Sequence, residues 1–137
     1  MTSYRFVLDT TAVLAYDGSP TAIDVGELIA EASTEQRMVG VPSLCLTEAM
    51  RAASKPEQHA HMRLLLGLEN VDLMPLDLPT LESCREFADW VDDLGARVDR
   101  AAAAYTATEW ADDIYVVSAE PEAYRDLAPV IAIGGAP

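Results

Sequence analysis

Apolar residues follow two alternating rhythms along this chain. Arg5 to Leu8, Met38 to Val41, Val71 to Leu76, Ile114 to Val117 and Val130 to Ile133 are short, nearly continuous apolar runs, the pattern of strands buried on both faces. Between them the apolar positions recur at helical spacing. Ser19-Pro20 supplies a Ser N-cap and a Pro at the first helical position for a helix running to about Ala32. Pro42-Ser43 starts a helix that carries Glu48, and Ser54 with Glu57 reads as a capping box for the next, Pro56 to Leu68. Leu81, Cys84, Phe87, Ala88, Val91 and Leu94 form one stripe, terminated by Gly95. Asp99 then caps an alanine-rich helix whose apolar face is Ala101, Ala104, Tyr105, Thr108 and Ala111, and Pro121 begins a short helix. Met1 to Ser3 and Gly134 to Pro137 are expected to fray.

Strands alternating with helices, over crossovers long enough to hold them, predict an α/β fold. The expected form is a three-layer α/β/α sandwich around a central, mostly parallel sheet of four to five strands. The chain has 137 residues, half of them apolar, which suits a single domain over residues 1–137 with a proper core. Cys45 and Cys84 are far apart and have no C-x-x-C spacing, so both are expected as buried free thiols in a reducing cytosol. No charged start followed by a long apolar run resembles a signal peptide, and no stretch approaches the roughly 18 apolar residues of a membrane span. A cytoplasmic protein is expected.

Charge changes the picture. Asp and Glu number 23 against 9 Lys and Arg, a formal charge of −14. That field repels nucleic acid at long range, so any RNA contact has to be local, through a few arginines or a bound metal, and a basic protein partner is equally compatible.

Four acids stand where a strand hands over to a helix or where a helix begins: Asp9, Glu48, Asp99 and Glu120. The strands of an open parallel sheet end along one edge, where acids from distant parts of the chain converge, and carboxylates crowded together call for a divalent cation. Taken singly, Asp99 reads equally as an N-cap, Glu48 as a solvated helix residue and Glu120 as a helix start favoured by the dipole. Asp9 resists such a reading, because it follows an apolar strand directly and precedes Thr11 to Tyr16, a run of little polarity. Other constellations carry less. His59 and His61 do not face each other on a helix, so they make no zinc pair. Ser3, Ser19, Ser43 and Ser118 lack nucleophile-elbow glycines, and no glycine loop cradles phosphate. Trp90 and Trp110 read as packing residues, Met38, Met50, Met62 and Met74 as dispersed core or interface fillers, and Asp89, Asp92 and Asp93 as a solvated helix face.

Val7-Leu8-Asp9-Thr10-Thr11, Val41-Pro42-Ser43-Leu44-Cys45-Leu46-Thr47-Glu48 with Arg51, Asp99 opening a helix, and Val116-Val117-Ser118-Ala119-Glu120 follow one another in order over nearly the whole chain. In this the chain resembles the PIN-domain family of metal-dependent nucleases, and within it the VapC-like toxin ribonucleases of bacterial toxin-antitoxin pairs. The chain departs from the family in Glu120, where Asp is usual, and in Arg100, where Ala commonly follows the third acid. The resemblance implies an endoribonuclease using Mg²⁺ or Mn²⁺. Asp9 would be the central ligand, Glu48 and Asp99 would hold the metal directly or through its waters, and Glu120 would complete the pocket or a second, weaker metal position. Thr10 and Ser118 would orient a water or a carboxylate, while Arg51, Arg100 and Arg125 would grip phosphate, Arg51 foremost because it shares a helix face with Glu48. The implied partners are an RNA substrate, a cognate antitoxin and a second copy in a homodimer, with the helix from Pro56 to Leu68 as the candidate contact. The alternative is a PIN-like binding module without catalysis, whose acidic surface meets a basic protein.

Overall fold

The computed structural model describes residues 3–17, 21–110, 113–124 and 126–134. Among them, strands β1 (Tyr4–Leu8), β2 (Met38–Pro42), β3 (Val71–Met74), β4 (Tyr115–Ser118) and β5 (Val130–Ala132) form one sheet in the order β3-β2-β1-β4-β5. Every neighbouring pair is parallel. Parallel neighbours need crossovers, and the helices supply most of them. Helices α1 (Thr10–Ala15) and α2 (Thr21–Thr34) join β1 to β2, α3 (Ser43–Ala52) and α4 (Pro56–Leu66) join β2 to β3, and α5 (Leu81–Asp93) and α6 (Val98–Trp110) join β3 to β4. A single 3-10 turn, Pro121–Ala123, lies between β4 and β5.

Successive strand residues point to opposite faces, so each run feeds two cores. Phe6 and Leu8, Val39 and Val41, and Val117 pack with Ala12, Val13, Val25, Ile29 and Leu65 on one side. Val7 and Val116 pack on the other with Phe87, the α6 alanines, Tyr105 and Tyr124. The expected α6 face is too narrow: Ala101 to Ala104 and Ala107 are all buried, because side chains this small let the helix lie between the sheet and α3 and α5. At the centre of β2 a Cβ on Gly40 would lie 2.0 Å from Met74 Sδ, so glycine there makes room for the neighbouring strand's side chain.

Several sequence expectations are corrected. Strand β3 stops at Met74 and β5 at Ala132, and α4 stops at Leu66, where the N–H of Gly67 closes onto Arg63 O at 3.1 Å. At the start of α4 it is Gln58, not Glu57, that turns back, its Oε1 accepting from the N–H groups of Ser54 and Lys55 at 3.0 Å each. Cys45 is buried but Cys84 is exposed. Met62 faces the core, while Leu64 is the large apolar residue that α4 presents to solvent. Helix α1 was not foreseen. The Ser19-Pro20 helix start, Ala111, and residues 1–2 and 135–137 of the expected frayed ends lie outside the described residues. Among the described residues, no helix is long and apolar enough to cross a membrane.

Candidate active site

With this strand order, the crossovers leave β1 and β4 in opposite directions, which opens a crevice at the carboxyl ends of those two strands. Asp9 follows β1 and Ser118 ends β4, so the sheet itself sets them side by side. Asp9 is 2% exposed, and it rather than Asp99 acts as a helix cap. Its Oδ1 accepts from the Ala12 N–H at 3.0 Å and the Thr11 hydroxyl at 2.6 Å. Its Oδ2 accepts from the buried Tyr124 hydroxyl at 2.7 Å. Burial first, then the charge of Asp9, push the Tyr124 phenol far above its ordinary value, so it remains a donor. Two hydroxyls join the strand ends: Thr11 Oγ1 lies 3.2 Å from Ser118 Oγ and accepts from the Ala119 N–H at 2.8 Å. Ser118 Oγ in turn accepts from the Glu120 N–H at 2.9 Å.

Asp99 is the second residue of α6, and its carboxylate turns toward α1. Its Oδ2 accepts from Thr10 Oγ1 at 2.6 Å and Arg97 Nη2 at 2.9 Å, and its Oδ1 from Arg97 Nε at 3.0 Å. Burial pushes the Asp99 carboxyl up, but the bonds from Arg97 and Thr10 together with the Arg97 charge outweigh it, and the net shift is downward. Beneath the two acids lies Cys45, whose Sγ sits 3.2 Å from Asp99 O; burial and the charges of Asp9 and Asp99 push its thiol up.

The two outer acids are also paired. Arg51 grips both oxygens of Glu48 one helical turn away and holds that carboxyl below its usual range. Arg100 pairs with Glu120. Arg51 and Arg100, expected at phosphate, therefore hold acids here, and Arg125 lies outside the described residues. Four carboxylates and three guanidiniums leave one net negative charge at the crevice. Leu44, Thr47, Glu48, Arg51, Arg97 and Asp99 line an open cleft leading to it.

Sequence reasoning missed Arg97 and Tyr124. The signal for Arg97 was its place just after Gly95-Ala96 and before the third acid; no local pattern marked Tyr124.

Hard carboxylate oxygens at a strand edge are the donor set of Mg²⁺ or Mn²⁺, and a cation already stands among them. The Arg97 guanidinium sits on both Asp99 oxygens, with Glu48 and Glu120 adding to the field that stabilises its charge. The oxygens are of the type a hard cation takes, but Glu48, Asp99 and Glu120 each carry an arginine. Among the described residues, no three His, Cys, Asp or Glu form a group that could hold an ion.

No family model matches the sequence, and no curated protein matches it. In three dimensions the chain is similar to one in the crystal structure of VapBC2 from Rickettsia felis bound to a DNA fragment from their promoter. That match has a TM-score of 0.65 at 10% identity and covers 94% of this chain and 98% of that one. It is also similar to a chain of DNA-bound VapBC from Salmonella typhimurium, with a TM-score of 0.62, 14% identity, and 96% and 98% covered. PAE2754 from Pyrobaculum aerophilum gives a TM-score of 0.57 at 18% identity, over 95% and 92% of the two chains. These likenesses are of fold, and they agree with the PIN-like architecture that the sequence motifs resemble.

Proposed function

We propose that this chain is a PIN-type endoribonuclease that hydrolyses RNA phosphodiester bonds with Mg²⁺ or Mn²⁺ and acts as the toxin of a toxin-antitoxin pair in the cytoplasm. The observation that carries the reading is the placement of Asp9 and Asp99, both nearly buried, at the switch point of a parallel sheet, joined by Thr10. Asp9, Asp99, Glu48 and Glu120 would hold the ion. When bound, it supplies a hydroxide near neutral pH and neutralises charge developing on the phosphate. Ala12, Thr11 and Tyr124 fix the Asp9 carboxylate in one orientation, and Thr10 does the same for Asp99. Arg51 and Arg100, at the rim, exchange their carboxylates for the phosphates of the substrate.

The proposed partners follow from charge and exposed surface. A chain of −14 attracts a basic antitoxin segment, and the fold likeness to chains of VapBC complexes supports that pairing. For the homodimer, Leu64 on α4 and Met50 on α3 are exposed apolar residues suited to a contact.

A second reading, a binding module that has lost catalysis, is favoured by the arginine on each of Glu48, Asp99 and Glu120. Incubating single-stranded RNA with purified protein and Mn²⁺ separates the two. Cleavage that needs the metal and disappears in Asp9→Asn supports the nuclease. A folded protein that cleaves no RNA at any Mn²⁺ concentration supports the module.

A further inference from the structure

Among the described arginines of the cleft, Arg97 holds the buried acid. Arg51 and Arg100 pair with the more open Glu48 and Glu120, whereas the Asp99 side chain is 7% exposed and Arg97 occupies both of its oxygens. A guanidinium in this two-pronged geometry takes the lone pairs that an ion would need.

The segment carrying Arg97 is held in an unusual conformation. Gly95 and Ala96 both lie in the left-handed region, at φ 71° and 64°. Glycine adopts this freely, but the Cβ of Ala96 makes it costly. A 2.8 Å bond from the Ala96 N–H to Val91 O fixes the turn, and Ala96 itself lines the cleft into which Arg97 reaches. The Arg97 side chain is 42% exposed, so it can leave for solvent without unpacking the core.

We propose that Arg97 is the chain's own occupant of the metal position. Its guanidinium and a divalent ion bind Asp99 to the exclusion of one another, and the ion enters only as Arg97 swings out. The free protein is thereby kept at low metal affinity by a residue of its own. This rests on the metal-dependent reading above.

The test is Mn²⁺ binding to the full chain by calorimetry, comparing wild type, Arg97→Gln and Arg5→Gln. Arg5 pairs with Glu35 at the opposite end of β1, so its substitution changes the net charge equally but far from the cleft. Arg97→Gln should bind Mn²⁺ about tenfold tighter or more, and Arg5→Gln should stay within about twofold of wild type. A second measurement needs no variant. The Arg97 Nε–H resonance of the wild type, ordered by its bond to Asp99 Oδ1, should move as Mg²⁺ is added. Equal Mn²⁺ affinity in Arg97→Gln and wild type, or an Nε–H signal that stays in place while Mg²⁺ saturates, overturns the proposal and leaves the metal-dependent reading intact. Absence of Mn²⁺ and Mg²⁺ binding in both wild type and Arg97→Gln overturns both.

Discussion

The hydroxyl of Tyr124 donates a 2.7 Å hydrogen bond to Asp9 Oδ2, tying the end of the 3-10 turn after β4 to the end of β1 across 115 residues. With Ala12 and Thr11 on Oδ1, the carboxylate that leads the site is held from both sides. Tyr124→Phe keeps the ring and removes only the donor, leaving a carboxylate oxygen without a partner in a dry place. The expected loss is about 1–3 kcal/mol in urea denaturation. In a cycle with Asp9→Asn the two changes should couple by about 0.5–3 kcal/mol. Simple additivity would mean that the bond contributes nothing in solution.

The pairing of Asp99 with Arg97 gives the stability a definite dependence on pH. The folded Asp99 carboxyl titrates below its ordinary value, so the pair's contribution is fully present above about pH 3.9 and is lost as pH falls through the lower folded value. Removing Arg97 takes away a hydrogen-bonding partner and a charge that hold the carboxyl low, so the folded Asp99 should titrate closer to its ordinary value. Stability from urea denaturation should therefore be lower in Arg97→Gln above about pH 3.9 and should fall less steeply than in wild type as pH drops below it. Parallel pH dependences in the two proteins would contradict the assignment of this shift to Arg97.

The architecture was legible because nearly every strand is a short apolar run bounded by turn residues, and burial on both faces leaves that pattern little freedom. Helix α1 escaped because Thr10–Ala15 is only 6 residues long and opens on two β-branched threonines, too little to show a period. Its presence explains why a single residue, Asp9, is both cap and site acid, while Asp99, expected as a cap, lies two positions past the cap position of its helix. Gln58 for Glu57 is a shift by one position. The arginine pairing had a different cause. Arg51 beside Glu48 is a one-turn neighbour and could be read from spacing, but Arg100 with Glu120 and Arg97 over Asp99 depend on how loops aim long side chains, which no periodicity encodes.

Gly40 offers a test of the sheet itself. A methyl group at this position would meet Met74 Sδ at 2.0 Å, and Met74, 3% exposed, has little room to withdraw. Gly40→Ala should cost about 1–3 kcal/mol by overpacking. If that contact is the cause, Met74→Ala in the same chain should cost less than it does alone, since each change makes room for the other. Independent effects in chemical denaturation would place the strain elsewhere.

Thr10 is the link between the two buried acids, standing next to Asp9 in sequence and donating to Asp99 Oδ2 at 2.6 Å. Thr10→Val keeps the branched shape and removes the donor. Asp99 then keeps Arg97 but loses one of the hydrogen bonds that hold its carboxyl low, so its titration, followed by carboxyl-carbon NMR, should move upward, toward the value favoured by burial. The expected loss of stability is about 1–3 kcal/mol, because a charged acceptor is left short of a partner in a buried place. Thr10→Ser restores the hydroxyl without the methyl and should return the Asp99 titration to its wild-type position. If Thr10→Val leaves that titration unmoved, Arg97 alone sets the charge of Asp99, and the two acids are not coupled through Thr10.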